Sequence, residues 1–260
     1  MPFICREQGG ASSVANCVLH PIHNHADGGF DLDELSKTVR QLNDDHWADT
    51  RLVCLENTHG GCGGAVLPPS FVQQTMRICH TNNSVVHLDG ARLFNASVAT
   101  NTPVSHLAQG LDSVTICLSK GLGAPMGSLL SGSSHFIERA KRARKLLGGA
   151  LRQAGIVAAA GLEALETYAP QILEDHRRAQ LLASGLVTMP HVELGPLVGT
   201  RTNMVFFRVG AESRDQAMVC EHLSAKGVGV LEVDGWIRAV THRHVDDQAI
   251  ASALSVISQL

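Results

Sequence analysis

Short, nearly continuous apolar runs alternate along this chain with longer stretches whose apolar positions recur at helical spacing. The short runs predict strands at residues 17–22, 52–56, 85–88, 114–118, 127–131, 204–209, 229–231 and 236–240. The longer stretches predict helices at 31–42, 69–81, 136–147, 151–168, 171–186, 214–225 and 246–257. Several strands are apolar at almost every position, which suits strands buried on both faces of a sheet. Pro69 near a first turn, and Gly148 and Gly149 after a last one, punctuate two of the helices. Strands separated by helices need crossover connections, so the pattern predicts an α/β fold with a mostly parallel sheet flanked by helices. Pro170 interrupts a long helical stretch, and the pattern beyond it reads helix, strand, helix, two strands, helix. This predicts a large domain over 1–168 and a smaller C-terminal α+β domain over 169–260.

A chain of 260 residues buries a sizeable core without disulfide or metal staples. Its net charge of −3 gives no reason to expect nucleic acid as a partner. The densest basic run, RAKRARK at 139–145, is interleaved with Phe136, Ile137, Ala140, Ala143 and Leu146 at helical spacing. It reads as the solvated face of one helix before it reads as a phosphate-binding patch. The seven cysteines are scattered, with no C-x-x-C pair, and Cys54 and Cys117 sit inside apolar runs as small core hydrophobes. A reducing compartment is expected. No apolar run approaches the length of a membrane span, and MPFICREQGG has the look of neither a signal nor a transit peptide. Cytoplasm is the expected location.

Candidate chemistry gathers where predicted strands end. Lys120, in Ser119-Lys120-Gly121, follows the run SVTICL and opens the glycine-rich turn GLGAPMG. Glycine permits close approach of a ligand to the backbone. A free lysine is almost wholly protonated at neutral pH; desolvation would lower its pKa, and an imine to an aldehyde would replace the ammonium altogether. An ordinary surface lysine in a turn has the same local sequence. Asp89 ends the run SVVHLD, at the carboxyl end of a strand, where ligands of open α/β sheets bind. A carboxylate there can keep a pyridine nitrogen protonated, or can simply cap the next helix. His59, in Glu56-Asn57-Thr58-His59, follows a third apolar strand and precedes GGCGG. Histidine serves as a general base near neutral pH, and the glycines let the loop fold over a ligand. Arg238, in a C-terminal strand, offers a rigid fork matched to a carboxylate, or equally to an inter-strand ion pair.

Taken together, ENTH with a downstream VLP, HLDGARLFNASVA, SVTICLSKGLGAPMGSLLSG, RKLLGGALRQAG and TNMVFFRV resemble the threonine aldolases over essentially the whole chain. The block around Lys120 is the most specific part. The resemblance implies a fold-type-I pyridoxal-phosphate (PLP) transferase-like architecture and retro-aldol cleavage of threonine or allo-threonine to glycine and acetaldehyde. It makes Lys120 the lysine that bonds the cofactor aldehyde, Asp89 the partner of the pyridine nitrogen and Arg92 a further cofactor contact. It makes His59 the group beside the substrate side chain, and the candidate base, and Arg238 the ligand of the substrate carboxylate. Lys145 and Arg152 match basic residues that approach the cofactor phosphate from a neighbouring subunit, and the family is usually a homotetramer with sites shared across a dimer interface.

The chain departs from the family pattern in having GGAL for GGGM and a second proline in VLPP. It enters that pattern at REQGG, and the family's Ser-Gly-Thr turn, whose amides hold the PLP phosphate, has no counterpart in it. Nor has the N-terminal arm, and the position of a histidine that stacks on the cofactor falls at Pro2. The expectation is a fold cut off at its start, with a catalytically inactive remnant as the alternative to an aldolase. A second alternative, a metal-dependent hydrolase built on His20, His23, His25, His242 or His244, has H-x-H pairs but no accompanying acidic cluster.

Overall fold

The computed structural model describes residues 8–40, 45–195, 202–210 and 215–260. The start of the family resemblance at Arg6, the position of Pro2, and the ends of two predicted helices at Leu42 and Arg214 lie outside the described residues.

A first sheet holds strands β1 (Leu52–Glu56), β2 (Val85–Asp89), β3 (Ser113–Cys117) and β4 (Ser128–Gly132) in that order. β1, β2 and β3 are parallel, and β4 is antiparallel to β3. The parallel part needs crossovers, and α3 (Pro69–Thr81) supplies one by packing on β2 between the first two strands. α3 begins with proline at its first turn, where the missing N–H costs nothing. On one face of the sheet Leu55, Leu88 and Val114 lie in one row and join the core beneath α3. On the other face the rows are Cys54, His87 and Ser113, then Glu56, Asp89 and Thr115. The sheet is thus apolar on one side and polar on the other, and the polar side ends in two adjacent carboxylates.

The second sheet is antiparallel, in the order β5 (Val192–Leu194), β6 (Met204–Val209), β8 (Trp236–Val240), β7 (Leu231–Val233). β7 and β8 form a hairpin across Asp234 and Gly235, both at positive φ, as a primed two-residue turn requires. That turn displaces β7 two residues from its expected place at 229–231. α8 (Gln216–Ala225) starts two residues later, and α9 (Asp247–Ile257) one residue later, than the sequence pattern suggests, because Asp215 and Asp246 are caps whose carboxylates accept helix N–H bonds.

Two expectations fail. Residues 17–22 form no strand: the segment is largely exposed, and Pro21 lacks the N–H that a ladder would use. The expected helix break at Pro170 is absent, and one helix, α7 (Gly155–Leu186), runs through it. Proline costs a helix interior about 3 kcal/mol, but Pro170 faces solvent, so the carbonyl it frees is on the exposed side. Burial on the opposite face holds the helix: Gly161, Ala164, Ile172, Asp175, Ala179, Leu182 and Leu186 recur at helical spacing. Ala164 and Ile172 pack with Leu118 and Leu122 near the first sheet, whereas Ala179, Leu182 and Leu186 join the core of the second. Sequence reading also missed α1 (Gly10–Ala15), α4 (Leu93–Thr100), α5 (Val104–Leu107) and β5, all of them short. The expected helix at 136–147 starts two residues late and ends one late against α6 (Ser134–Leu146), none of whose interleaved apolar residues is fully buried. The expected helix at 31–42 overruns α2 (Leu32–Thr38), which stops where Val39 turns extended. Among the described residues no helix is long and apolar enough to cross a membrane.

Candidate active site

Asp89 is the last residue of β2, half-buried at the carboxyl end of the parallel strands. Its Oδ1 accepts the Ala91 N–H at 3.0 Å in a local turn, and the helix that follows starts at Leu93 with no side-chain cap, so Asp89 does not cap it. That bond leaves the carboxylate facing the end of the sheet, where register sets Glu56 on one side of it and Thr115 on the other. One row back on the same face, the His87 ring contacts Ser113 Oγ at 2.9 Å and Thr115 Oγ1 at 3.2 Å. Burial holds the His87 pKa below its ordinary value.

The segment after β1 continues toward the site. Asn57 donates its N–H to the Asp89 carbonyl at 2.9 Å, which ties the loop to the strand end. The His59 N–H and carbonyl then close the glycine loop by bonding Ala65 O and Gly64 N. This closure packs the His59 ring inside, 5% exposed. Burial lowers its pKa, and the Glu56 carboxylate, with Oε2 at 3.8 Å from Nε2, opposes that shift. Glu56 Oε1 accepts the Gly60 N–H at 3.0 Å.

Two arginines converge here from separate sheets. Arg92 follows β2 and stands just before α4, with no capping bond from its side chain; Arg238 lies on β8, paired with Phe206 of β6. Desolvation lowers the Arg92 pKa, and repulsion by Arg238 lowers it further, while Glu56, Cys117 and Asp89 act in the opposite sense. The structure therefore brings together Asp89, Arg92, His59 and Arg238, four residues marked out by the sequence, with Glu56 among them. Glu56 carried no role in the sequence reading. Its signal was its phase: it ends an apolar strand on the same face as Asp89.

Lys120 lies three residues beyond β3 on a pinned loop. Leu118 bonds Gly127 and Ala124 through the backbone, and the Gly123 N–H bonds the Lys120 carbonyl. Gly121 must be glycine for this path, because a Cβ there would meet Asn95 Oδ1 at 2.7 Å. Asn95 in turn contacts His176 of α7, Nδ2 to Nε2 at 3.1 Å. Burial pushes the His176 pKa down to about 4, so the ring is neutral near pH 7 and accepts the amide hydrogen. No sequence signal foretold this contact, which spans α4 and α7. The Lys120 side chain is exposed. Lys145 at the end of α6 and Arg152 beyond it are exposed and make no hydrogen bond or ion pair with the cluster among the described residues.

A ligand with several polar groups fits this place. Among the described residues, Glu56 Oε2, Thr58 Oγ1, His59 Nδ1 and Arg92 Nε are buried there without a hydrogen-bond partner. Buried polar atoms are ordinarily paired, and such exceptions cluster at functional sites. The donor set (a carboxylate, guanidinium groups and an imidazole, with a lysine on the neighbouring strand end) suits a small anionic molecule carrying an aldehyde.

The family model of the beta-eliminating lyases matches residues 3–210. The chain is 38% identical over 256 residues to low-specificity L-threonine aldolase 1 of Arabidopsis thaliana, covering 97% of this chain and 71% of that protein. It is 40% identical over 246 residues to the low specificity L-threonine aldolase of Escherichia coli, covering 94% of this chain and 70% of the relative. Its fold matches the structure of a Leishmania major threonine aldolase with a TM-score of 0.79 at 16% identity, over 99% of this chain and 74% of that one.

Proposed function

The chain belongs to the beta-eliminating lyase family, and we propose that it is a PLP-dependent carbon–carbon lyase cleaving threonine and allo-threonine to glycine and acetaldehyde. The observation that carries this reading is the meeting of Arg92 and Arg238 beside Asp89 and His59, where two sheets converge. A site with two guanidinium groups and a strand-end carboxylate suits an amino-acid substrate and a pyridine ring together. When bound, PLP supplies the electron sink for the pair released as Cα–Cβ breaks.

The chain's own residues take the remaining tasks in this reading. Lys120 offers its amine to the cofactor aldehyde. Asp89 holds a proton on the pyridine nitrogen, Arg92 contacts the cofactor, and Arg238 grips the substrate carboxylate with its fork. His59 takes the proton from the β-hydroxyl, directly or through a water. Its buried, lowered pKa supports this, because a base must be neutral to accept a proton near pH 7. Lys145 and Arg152 serve the phosphate from a neighbouring subunit of a homodimer or homotetramer, and their exposure here is consistent with such a role. The two sheets support a division into domains at 168/169, with α7 crossing between them. A cytoplasmic location belongs to the same proposal and rests on the scattered cysteines.

The experiment that tests the activity is direct. The purified protein is incubated with excess PLP and allo-threonine, and glycine is measured by amino-acid analysis. Glycine accumulating only when PLP is present supports the reading; its absence from a folded, PLP-binding protein overturns it.

A further inference from the structure

We propose that Glu56 is a positioning residue that orients the His59 ring and stabilises the proton His59 receives. This rests on the reading of His59 as the base, and it adds to that base a second group. Three observations carry it. The Glu56 side chain is 13% exposed, too buried for an ordinary surface carboxylate. One oxygen is anchored by the Gly60 N–H at 3.0 Å, which fixes the side chain at the turn that carries His59. The other oxygen is buried without a hydrogen bond, 3.8 Å from His59 Nε2. That separation is an ion-pair contact, and a proton arriving on the imidazole makes the attraction a full one.

The lattice of charge around the pair sharpens the assignment. Around Glu56 stand Arg92, Asp89 on the next strand and Cys62 on the turn, with Arg238 beyond Arg92. The burial of His59 disfavours a positive charge on its ring. Glu56 is the carboxylate in ion-pair contact with the ring, so it is the group that makes a transient imidazolium tolerable. The proton lands on the imidazole while Glu56 stays ionised.

The test uses the whole chain and nuclear magnetic resonance. The His59 ring is titrated in the wild type, in Glu56→Gln and in Glu56→Asp. Glutamine keeps the length and the Gly60 bond but loses the charge, so the His59 midpoint should fall by about one pH unit or more. Aspartate keeps the charge and should return the midpoint most of the way to the wild-type value. In the PLP-loaded protein, Glu56→Gln should lower kcat roughly tenfold with little change in KM, a loss of about 1.4 kcal/mol. A His59 midpoint unchanged in a folded Glu56→Gln protein overturns the proposal, whatever the activity. If glutamine unfolds the chain, a midpoint in Glu56→Asp displaced as far as burial alone would take it overturns it as well. A midpoint that moves as stated in a protein that does not cleave threonine upholds this pairing and rejects the proposed activity, so the two failures are separable.

Discussion

Arg92 and Arg238 are brought into mutual repulsion by two different sheets, Arg92 following β2 and Arg238 lying on β8. Like charges are costly to hold together away from water unless something anionic lies between them. Glu56 and Asp89 supply part of that charge, and a substrate carboxylate would supply more.

Arg238→Lys keeps the charge and loses the two-pronged fork. Charge-assisted hydrogen bonds are worth roughly 1.5–3 kcal/mol. KM for threonine should therefore rise roughly ten- to hundredfold with a smaller change in kcat. Steady-state kinetics in excess PLP decide this, and an unchanged KM removes Arg238 from the substrate site.

Lys120→Ala should abolish the covalent, borohydride-reducible PLP adduct and its visible absorption band. The lysine stands beyond the end of β3, on a loop held by the Leu118 and Gly123 backbone bonds. Mass spectrometry after reduction locates the adduct. A stoichiometric adduct persisting in the variant at one other lysine shows that the assignment is wrong.

His176 should make the fold sensitive to acid. Its folded pKa lies below its unfolded value of about 6.5, at about 4. The unfolded chain therefore takes up the proton first as pH falls. The stability held by a neutral His176 is complete above about pH 6.5 and is lost progressively down to about pH 4. The loss between pH 7.5 and 4.5 amounts to roughly 2–3 kcal/mol from this group. Urea unfolding at the two pH values measures it, and His176→Gln should show a correspondingly smaller acid loss. An equal loss in wild type and variant contradicts the assignment of His176 as a buried neutral ring.

The periodic parts of the fold were legible in the sequence because burial repeats regularly there. β6 and α3 coincide with their predicted bounds, Asp89 and His59 were readable as residues at or just beyond strand ends, and Arg238 as one within a strand. What escaped was set by tertiary contact. The run at 17–22 is apolar enough for a strand but has no ladder partner among the described residues. Pro170 carries a local break signal, which packing of α7 on two cores overrides. The Asp234-Gly235 pair is a turn signal in the sequence, and it outweighs the apolar content of 229–231 in setting where β7 lies. Asn95 and His176 are 81 positions apart, and only the fold brings them together.

The most direct measurement couples acetaldehyde release to NADH oxidation by an alcohol dehydrogenase, with purified protein, excess PLP and threonine. The account predicts NADH consumption that requires PLP, is saturable in threonine, and disappears in Lys120→Ala. Equal consumption by wild type and Lys120→Ala, or none from a folded wild type that binds PLP, would contradict it.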